Sequence, residues 1–524
     1  MAVMATVRRN LVVAACLSLL LIGLLCTGDS FYMERFDITT PLKAIKVSKN
    51  GSPSESSPSS DFLSARTSRL HFLIPASHAS LQFCYHLASA GANRYPVPTL
   101  LAWKGEGDFD AKVSHLAKLR ALKRYLDTLN GAGEADDLVL LVDAYDIIHQ
   151  LPAEVLIERY FEIVSKANTH LAQRMGISVK ELAEKGAKQT VFFGPDKVCW
   201  PPDDKAARCW AAPASSLGQD PFGPERGGPD DFFTKDPRWL NSGTVIGPVF
   251  DLKRVVAAAM DEIAATYDPG FWVPGSDQYY LANIFGRQEY WRNRKFLNNS
   301  QVVDDSQNPN RVIPAKLTEE QETELHMAIE YESSLFQTKA GNELFTGYLQ
   351  YNLKDQTANV NIDLFEKGES FRPYPIRMPD NVRDALLKLF NSVSDAHPGA
   401  STKTWIQLAH LGTNFVTKHI YSIWHCTGGK EAIDYEYTKM WFHPFVKSLL
   451  QETVKAWRRN DPISTKLIDG RRWIPYRSYP GIEVSDDEYG GAWSDGTDQT
   501  FLTWKEMCGH DEGTLFWGQQ ATGL

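Results

Sequence analysis

The run Leu138-Val139-Leu140-Leu141-Val142 constrains the fold more than any other stretch, because five consecutive apolar residues leave no face for solvent. A strand of this kind is covered on both sides, the usual situation of parallel sheets in layered α/β domains. It runs straight into Asp143, and Asp146 follows three residues later, giving LVLLVDAYD. A strand that ends at the first aspartate and turns at once aims both carboxylates at one point. Hard cations such as Mn2+ or Mg2+ take oxygen ligands of this kind and keep positions for phosphate oxygens. A capped turn is the simpler alternative, since aspartate is common there.

The flanking sequence alternates strand and helix signals. HFLI from His71 reads as a strand, residues 80–90 as a helix and 98–102 as a second strand. Val113, Leu116, Leu119, Leu122, Leu126 and Leu129 form one helical face, with Lys118, Arg120, Lys123 and Arg124 on the other. Gly131 and Gly133 are the expected stop. Helix 152–167, strand 190–193, strand 243–247 and helix 251–266 continue the alternation. The expectation is an α/β domain with a mostly parallel sheet. No Gly-x-Gly-x-x-Gly or Walker loop follows a strand, which lowers the dinucleotide and P-loop readings. Beyond residue 340 the periodicity weakens. Helices are expected at 380–394 and 434–457, and the tail from Asp461 reads as irregular structure packed on the main domain.

At 524 residues the chain has length for two to four domains of roughly 150 residues each. A net charge of −9 argues against a nucleic-acid groove, which needs a clustered basic excess. Arg8 and Arg9 precede an apolar run from Leu11 to Cys26 with no small-x-small site after it. An uncleaved anchor is favoured over a cleaved signal peptide, with the N-terminus cytosolic and the remainder lumenal. That implies a single-pass protein of the Golgi or endoplasmic reticulum. The Ser/Pro-rich stretch 50–61 suits a stem. Asn50 and Asn298 sit in glycosylation sequons. Cys84, Cys199, Cys209, Cys426 and Cys508 are five, so one stays free or pairs between chains. Cys199 and Cys209 are near enough in sequence for a short-loop disulfide.

The motifs in order resemble the N-terminal glycosyltransferase domain of procollagen lysyl hydroxylases. Asp143-Ala144-Tyr145-Asp146 resembles that family's Asp-Ser-Tyr-Asp, and Trp103-Lys104-Gly105 its tryptophan near the uridine site. Lys118-Leu119-Arg120-Ala121-Leu122-Lys123 resembles its basic helix, and VFFGPDKVCWP at 191–201 its next strand and loop. Leu240-Asn241-Ser242-Gly243, Ser276-Asp277-Gln278 and Leu335-Phe336-Gln337 match further elements. His425-Cys426-Thr427-Gly428-Gly429-Lys430 resembles the His-x-x-Gly-x-x-Lys element, one residue shorter here. The likeness covers roughly residues 70–435. The segment between Phe336 and His425 is much longer than in the family. The family's acidic run is reduced to Asp277, and its iron-binding His-x-Asp is missing, since His510-Asp511 lacks the spacer.

The resemblance implies a GT-A-like, Rossmann-type nucleotide-sugar domain at 70–435. It would follow a tail and anchor at 1–28 and a stem at 29–69, with a helical and irregular extension at 436–524. It implies a hexosyltransferase using a UDP-sugar and Mn2+ (or Mg2+), acting on a hydroxyl of a protein or glycan, with retention of configuration. Asp143, Asp146 and His425 would hold the metal. Lys430 and Gly428 would meet the diphosphate, Trp103 and Tyr145 the uridine, and Lys118 a phosphate. Asp277, Asp196 and Asn241 would serve the sugar or the acceptor hydroxyl. Each has a plainer alternative: a helix cap for Asp277, a fixed turn for Asn241, core packing for Trp103 and Tyr145. A non-catalytic lumenal sugar-binding protein of the same fold is the alternative function, and it would be expected to have lost one of the three metal residues. A two-metal hydrolase would want a richer His/Asp cluster around the DAYD motif.

Overall fold

The computed structural model describes residues 64–105, 114–131, 133–224, 231–297, 310–397 and 399–518. All lie in the compact unit Pro58–Leu524. The apolar run at Leu11–Cys26, the Ser/Pro stretch and both sequons lie outside the described residues. Among the described residues no helix is long and apolar enough to cross a membrane. The expected single-pass Golgi or reticulum placement is corrected accordingly and is not carried forward.

The chain opens with β1 (Thr67–Pro75), α1 (Leu81–Ala92), β2 (Thr99–Leu101), α2 (Ser114–Asp127) and β3 (Leu138–Val142). It continues through β4 (Ile147–His149), α3 (Ala153–Arg174), β5 (Val191–Asp196), β6 (Trp239–Pro248), α4 (Val249–Thr266), α5 (Asp277–Phe296), β7 (Met327–Ile329) and β8 (Phe336–Thr338). Late in the chain come β9 (Ile423–His425), α6 (Ala432–Lys439), α7 (Val446–Arg458), β10 (Arg472–Pro475), β11 (Gly491–Ser494) and β12 (Phe501–Thr503). The core is a mixed α/β assembly around a large, mostly parallel sheet of order β12-β11-β2-β1-β3-β6-β5-β7, with β10 also paired to β1. β6 runs antiparallel to both β3 and β5. All five residues of β3 are buried, as their uniform apolarity requires.

The chain leaves β1 for β2 on one side and then crosses to β3 on the other, so the loops after β1 and β3 diverge. That divergence opens a crevice at the carboxyl ends of the strands, where open α/β sheets take ligands. Helices cover both faces in two large apolar clusters. α1 is capped by Ser80, whose hydroxyl accepts from the Phe83 amide.

Three expectations change in the structure. The helix expected at 434–457 is two, α6 and α7, separated by a stretch that contains Pro444; proline cannot donate the amide a continuous helix needs. β1 starts before His71, because Thr67–Leu70 pair in parallel with β10. The tail read as irregular supplies β10, β11 and β12 to the main sheet. These strands are three or four residues long, too short to announce themselves by alternation.

Cys199 and Cys209 form a disulfide, and Cys84 of α1 joins Cys508, 424 positions away. Cys426 is free and buried. The long-range bond ties α1 to the C-terminal segment. Cys84→Ser/Cys508→Ser should therefore cost about 2–5 kcal/mol, read as a lowered thermal midpoint without loss of helical circular dichroism at room temperature. An unchanged midpoint would mean that packing alone holds the tail.

Candidate functional site

β3 delivers Asp143 at its carboxyl end, and the chain turns through Ala144 and Tyr145 to Asp146. The next three residues form β4, which pairs antiparallel with β9 in the register His425↔Ile147. β9 in turn pairs in parallel with β8. The Cys426 amide donates to the Asp146 carbonyl at 2.8 Å. This short ladder sets His425 beside Asp146 across 279 positions of sequence, and His425 Nε2 lies 3.0 Å from Asp146 Oδ2. One ligand atom from each of Asp143, Asp146 and His425 falls within 4.8 Å of the others.

β6 closes the third side. Its pairing with β5 shifts register between Phe193 and Gly194, so residues 242–244 bulge from the ladder. The Gly243 carbonyl accepts from the Asp143 amide at 2.8 Å. A Cβ on Gly243 would stand 2.2 Å from His425 Cε1 and 2.8 Å from Asp143 Oδ2. Only glycine lets the strand approach the cluster this closely.

The donor set suits a divalent cation. Two carboxylates and an imidazole combine hard oxygen with borderline nitrogen, and Asp146 Oδ1 is buried without a hydrogen-bond partner among the described residues. Lys430 Nζ pairs with Asp146 Oδ2 and donates to the Cys426 carbonyl at 2.8 Å. Burial raises the Asp146 carboxyl's pKa, but His425 and then Lys430 outweigh it and hold it below the ordinary carboxylate range. Lys430 is half exposed, and the preceding Gly428 has φ +75°, a left-handed conformation natural to glycine.

Lys118 borders the open space beside the cluster, but its ammonium is already engaged. Its ammonium lies 2.9 Å from Asp143 Oδ1, 2.6 Å from Asp277 Oδ2 and 3.2 Å from the Ser242 carbonyl. Two of these are hydrogen bonds, to Asp143 and Ser242, and the Asp277 contact is an ion pair. Burial pushes the amine toward its neutral form, and Asp143 and Asp277 more than reverse this, so its pKa is raised. Lys118 thus fixes one oxygen of Asp143 and leaves the other for a cation. Asp277 is not the cap of α5. Ser276 is, with its hydroxyl accepting from the Tyr279 amide at 3.3 Å.

Asn241 fixes the bulge. Its Oδ1 accepts from the Gly243 amide at 2.9 Å, and its Nδ2 reaches Asp196 Oδ2 at 3.4 Å. Burial raises Asp196 to about 6, opposed by Asn241 and the backbone amides of Val198 and Lys197. Tyr145 stacks on His78, with centroids 5.0 Å apart, and its hydroxyl accepts from the Ser77 and His78 amides. Trp103 is buried against Phe83.

A cavity of about 370 Å3 opens on this cluster, bordered by Pro75–Ser77, Ala102, Lys118, Asp143, Tyr145 and Lys430. Trp103 does not border it. Two bordering groups escaped sequence reasoning. His115, 4.0 Å from Asp277 Oδ1, stands one turn before Lys118 on α2, and that i,i+3 spacing was the available signal. Ala102 is held by Asp495, whose Oδ1 accepts the Ala102 amide at 2.9 Å; nothing local marks that contact in the sequence.

No model of a known protein family matches the chain, and no curated protein matches it.

Two substitutions test this electrostatic arrangement. Lys118→Met would leave buried Asp277 facing no cation, at a cost of about 3–5 kcal/mol, toward the lower end because Asp143 is partly open to solvent. Adding Asp277→Asn should recover much of the loss in denaturant unfolding; no recovery would mean that Lys118 acts by packing alone. For Asp196, the folded state keeps a proton that the unfolded chain releases near pH ~4. Its contribution is therefore full below that pH and is lost as pH rises through about 6. In EDTA, Asp196→Asn should remove this part of the stability–pH curve, and an unaltered curve would refute the assignment.

Proposed function

We propose that the protein is a metal-dependent glycosyltransferase. In this reading it moves a hexose from a UDP-sugar to a hydroxyl of a protein or glycan acceptor, on a GT-A-like, Rossmann-type fold resembling the procollagen lysyl hydroxylase transferase domain. The observation that carries the reading is the convergence of Asp143, Asp146 and His425 at the carboxyl edge of the sheet, beside Lys430 and an open cavity. The antiparallel strand β6 within an otherwise largely parallel sheet, and its bulge against the cluster, support it.

Asp143, Asp146 and His425 would hold Mn2+ or Mg2+. The bound ion would neutralise charge growing on the departing diphosphate. Lys430 is the movable cation. With its end half exposed, it can leave Asp146 when the ion takes that carboxylate, and pair with the diphosphate as a point charge. Lys118 and Gly243 keep Asp143 aimed at the ion. Tyr145, tied by its hydroxyl to the loop after β1, borders the cavity where the uracil would lie. The resemblance gives Asp196, with a raised affinity for a proton, and Asp277, neutralised by Lys118, a role toward the sugar and the acceptor hydroxyl. The resemblance carries retention of anomeric configuration.

Calorimetry with UDP and hydrolysis of a UDP-sugar panel test the reading. UDP should bind with Mn2+ and fail to bind in excess EDTA. Asp146→Asn and His425→Ala should each reduce hydrolysis by about 100-fold or more, roughly 2.7 kcal/mol, with the metal-free melting temperature nearly unchanged. Because both act through one ion, the double variant should be barely worse than either single one. Metal-independent UDP binding, or fully multiplicative losses, would sink the shared-ion site. Metal-dependent binding without turnover of any sugar nucleotide would point to a binding protein instead.

A further inference from the structure

The segment between Phe336 and His425 contributes more than β8. Within it, strand His410–Asn414 pairs antiparallel with Thr346–Gln350, and a hairpin of Thr357–Val360 and Tyr374–Arg377 lies alongside in sequence. Helix Thr402–Leu408 and α6 complete the neighbourhood. Two cavities open on these elements, of about 360 and 550 Å3. Both are bordered by Tyr348 and His410, so they lie on either side of that pair, and the two together are termed the groove. Each falls within the range of ligand sites, roughly 300–1,000 Å3.

The two halves of the groove differ in chemistry. One is bordered by Gln350, Asn352, Asn359 and Asn361. The last three are exposed, and their amides make no hydrogen bond within the protein among the described residues. Each such amide offers two donors and an acceptor. The other half is bordered by Trp405, Trp441, Tyr435 and Phe445. Trp405 is held in place by stacking on Phe390 at 4.1 Å, and Trp441 by donating its indole N–H to the Gln150 carbonyl. No carboxylate borders either half, and Lys439 is the one permanent charge. That ammonium already lies 4.6 Å over the Tyr435 ring. Burial, then Lys439, lowers the His410 pKa, so the imidazole is neutral at neutral pH. The Glu436 carboxylate accepts from the Tyr348 hydroxyl at 2.6 Å.

We propose that this groove binds a neutral oligosaccharide, with free amides paired to ring hydroxyls and the aromatic wall covering the apolar faces of the sugars. A nucleotide or an acidic glycan would need more cations than the single Lys439, which already lies over the Tyr435 ring. A lipid or an apolar helix would strand the amides without partners, which is costly. α6 starts two residues after Lys430 and spans eight residues, about 12 Å at 1.5 Å per residue. α6 itself supplies Tyr435, Thr438 and Lys439 to the groove wall, so the wall begins a few residues beyond Lys430 in the chain. The binding claim does not depend on the transferase reading, and the experiment is run without metal or donor.

The probes are cellohexaose, laminarihexaose, mannohexaose, xylohexaose and chitohexaose, titrated against the full chain in EDTA and followed by calorimetry and tryptophan fluorescence. At least one should bind with a Kd of about 1 mM or tighter and shift the emission of Trp405 and Trp441. Asn359→Ala/Asn361→Ala, at exposed positions in one half, should weaken it about tenfold, and Tyr435→Ala, exposed in the other, by a similar factor. Melting temperature should not move in either variant. Asp146→Asn should bind the glycan as the parent does. Failure of every hexasaccharide at about 10 mM would overturn the proposal. So would binding that both groove variants leave intact, or binding abolished by Asp146→Asn, since the sugar would then sit at the metal cluster. Metal-dependent UDP binding is measured separately, so the loss of one claim leaves the other standing.

Discussion

The three-residue ladder between β4 and β9 decides whether this chain has a site at all. Asp143 and Asp146 come from one turn, but the imidazole comes from a strand 279 positions away, fixed by the register His425↔Ile147. A slip of one residue would turn His425 to the opposite face. Three residues of pairing cannot resist slippage alone, and the surrounding hydrogen bonds supply the resistance. Gln150, directly after β4, donates to the Gly412 and Tyr421 carbonyls and accepts from the Gly412 amide. Arg159, on α3 and fully covered, donates to the Ser334 and Ile420 carbonyls at 2.6 Å each. Buried donors and acceptors that lose such partners cost about 1–3 kcal/mol each. Any alternative register would break several together.

The same cluster shows how burial separates two lysines of equal charge. Lys118 is enclosed and its ammonium is paired with two carboxylates and a carbonyl, so it acts as fixed scaffolding for Asp143. Lys430 is half exposed and rests on Asp146, which a cation would claim. Exposed ion pairs are weak and easily exchanged, whereas buried ones are expensive to break in one partner. The cluster is therefore neutralised by its own residues while one of the neutralising groups stays free to move.

What was legible in the sequence was local. The uniform apolarity of Leu138–Val142 announced a doubly covered strand, and Asp143 and Asp146 followed from its end. Alternation gave α1, α2, α4 and the order of the early strands. What was not legible depended on contacts made at a distance. Lys118 looked like a phosphate-seeking cation because its helix carries other lysines and arginines, and only the fold shows Asp277 beneath it. Trp103 read equally as a uridine contact or as core, and in the fold it packs on Phe83. The Cys84–Cys508 bond and the strands of the tail are defined by their partners, which no local pattern names.

The tail bears on the site through one backbone hydrogen bond. Ala102 directly follows β2 with φ +56°, a left-handed conformation that costs an ordinary residue about 1–2 kcal/mol. It also borders the cavity. Asp495, just past β11, accepts the Ala102 amide in its carboxylate and donates its own amide to the Leu100 carbonyl at 3.0 Å. A charge-assisted bond of this kind contributes about 1.5–3 kcal/mol, enough to offset the strain. β11 is in turn aligned on β2 by parallel pairing, Trp493↔Thr99 and Ser494↔Leu100. The wall of the cavity nearest β2 is thus shaped by residues almost four hundred positions later. Residues 436–518 belong to the physics of the site as much as β3 does.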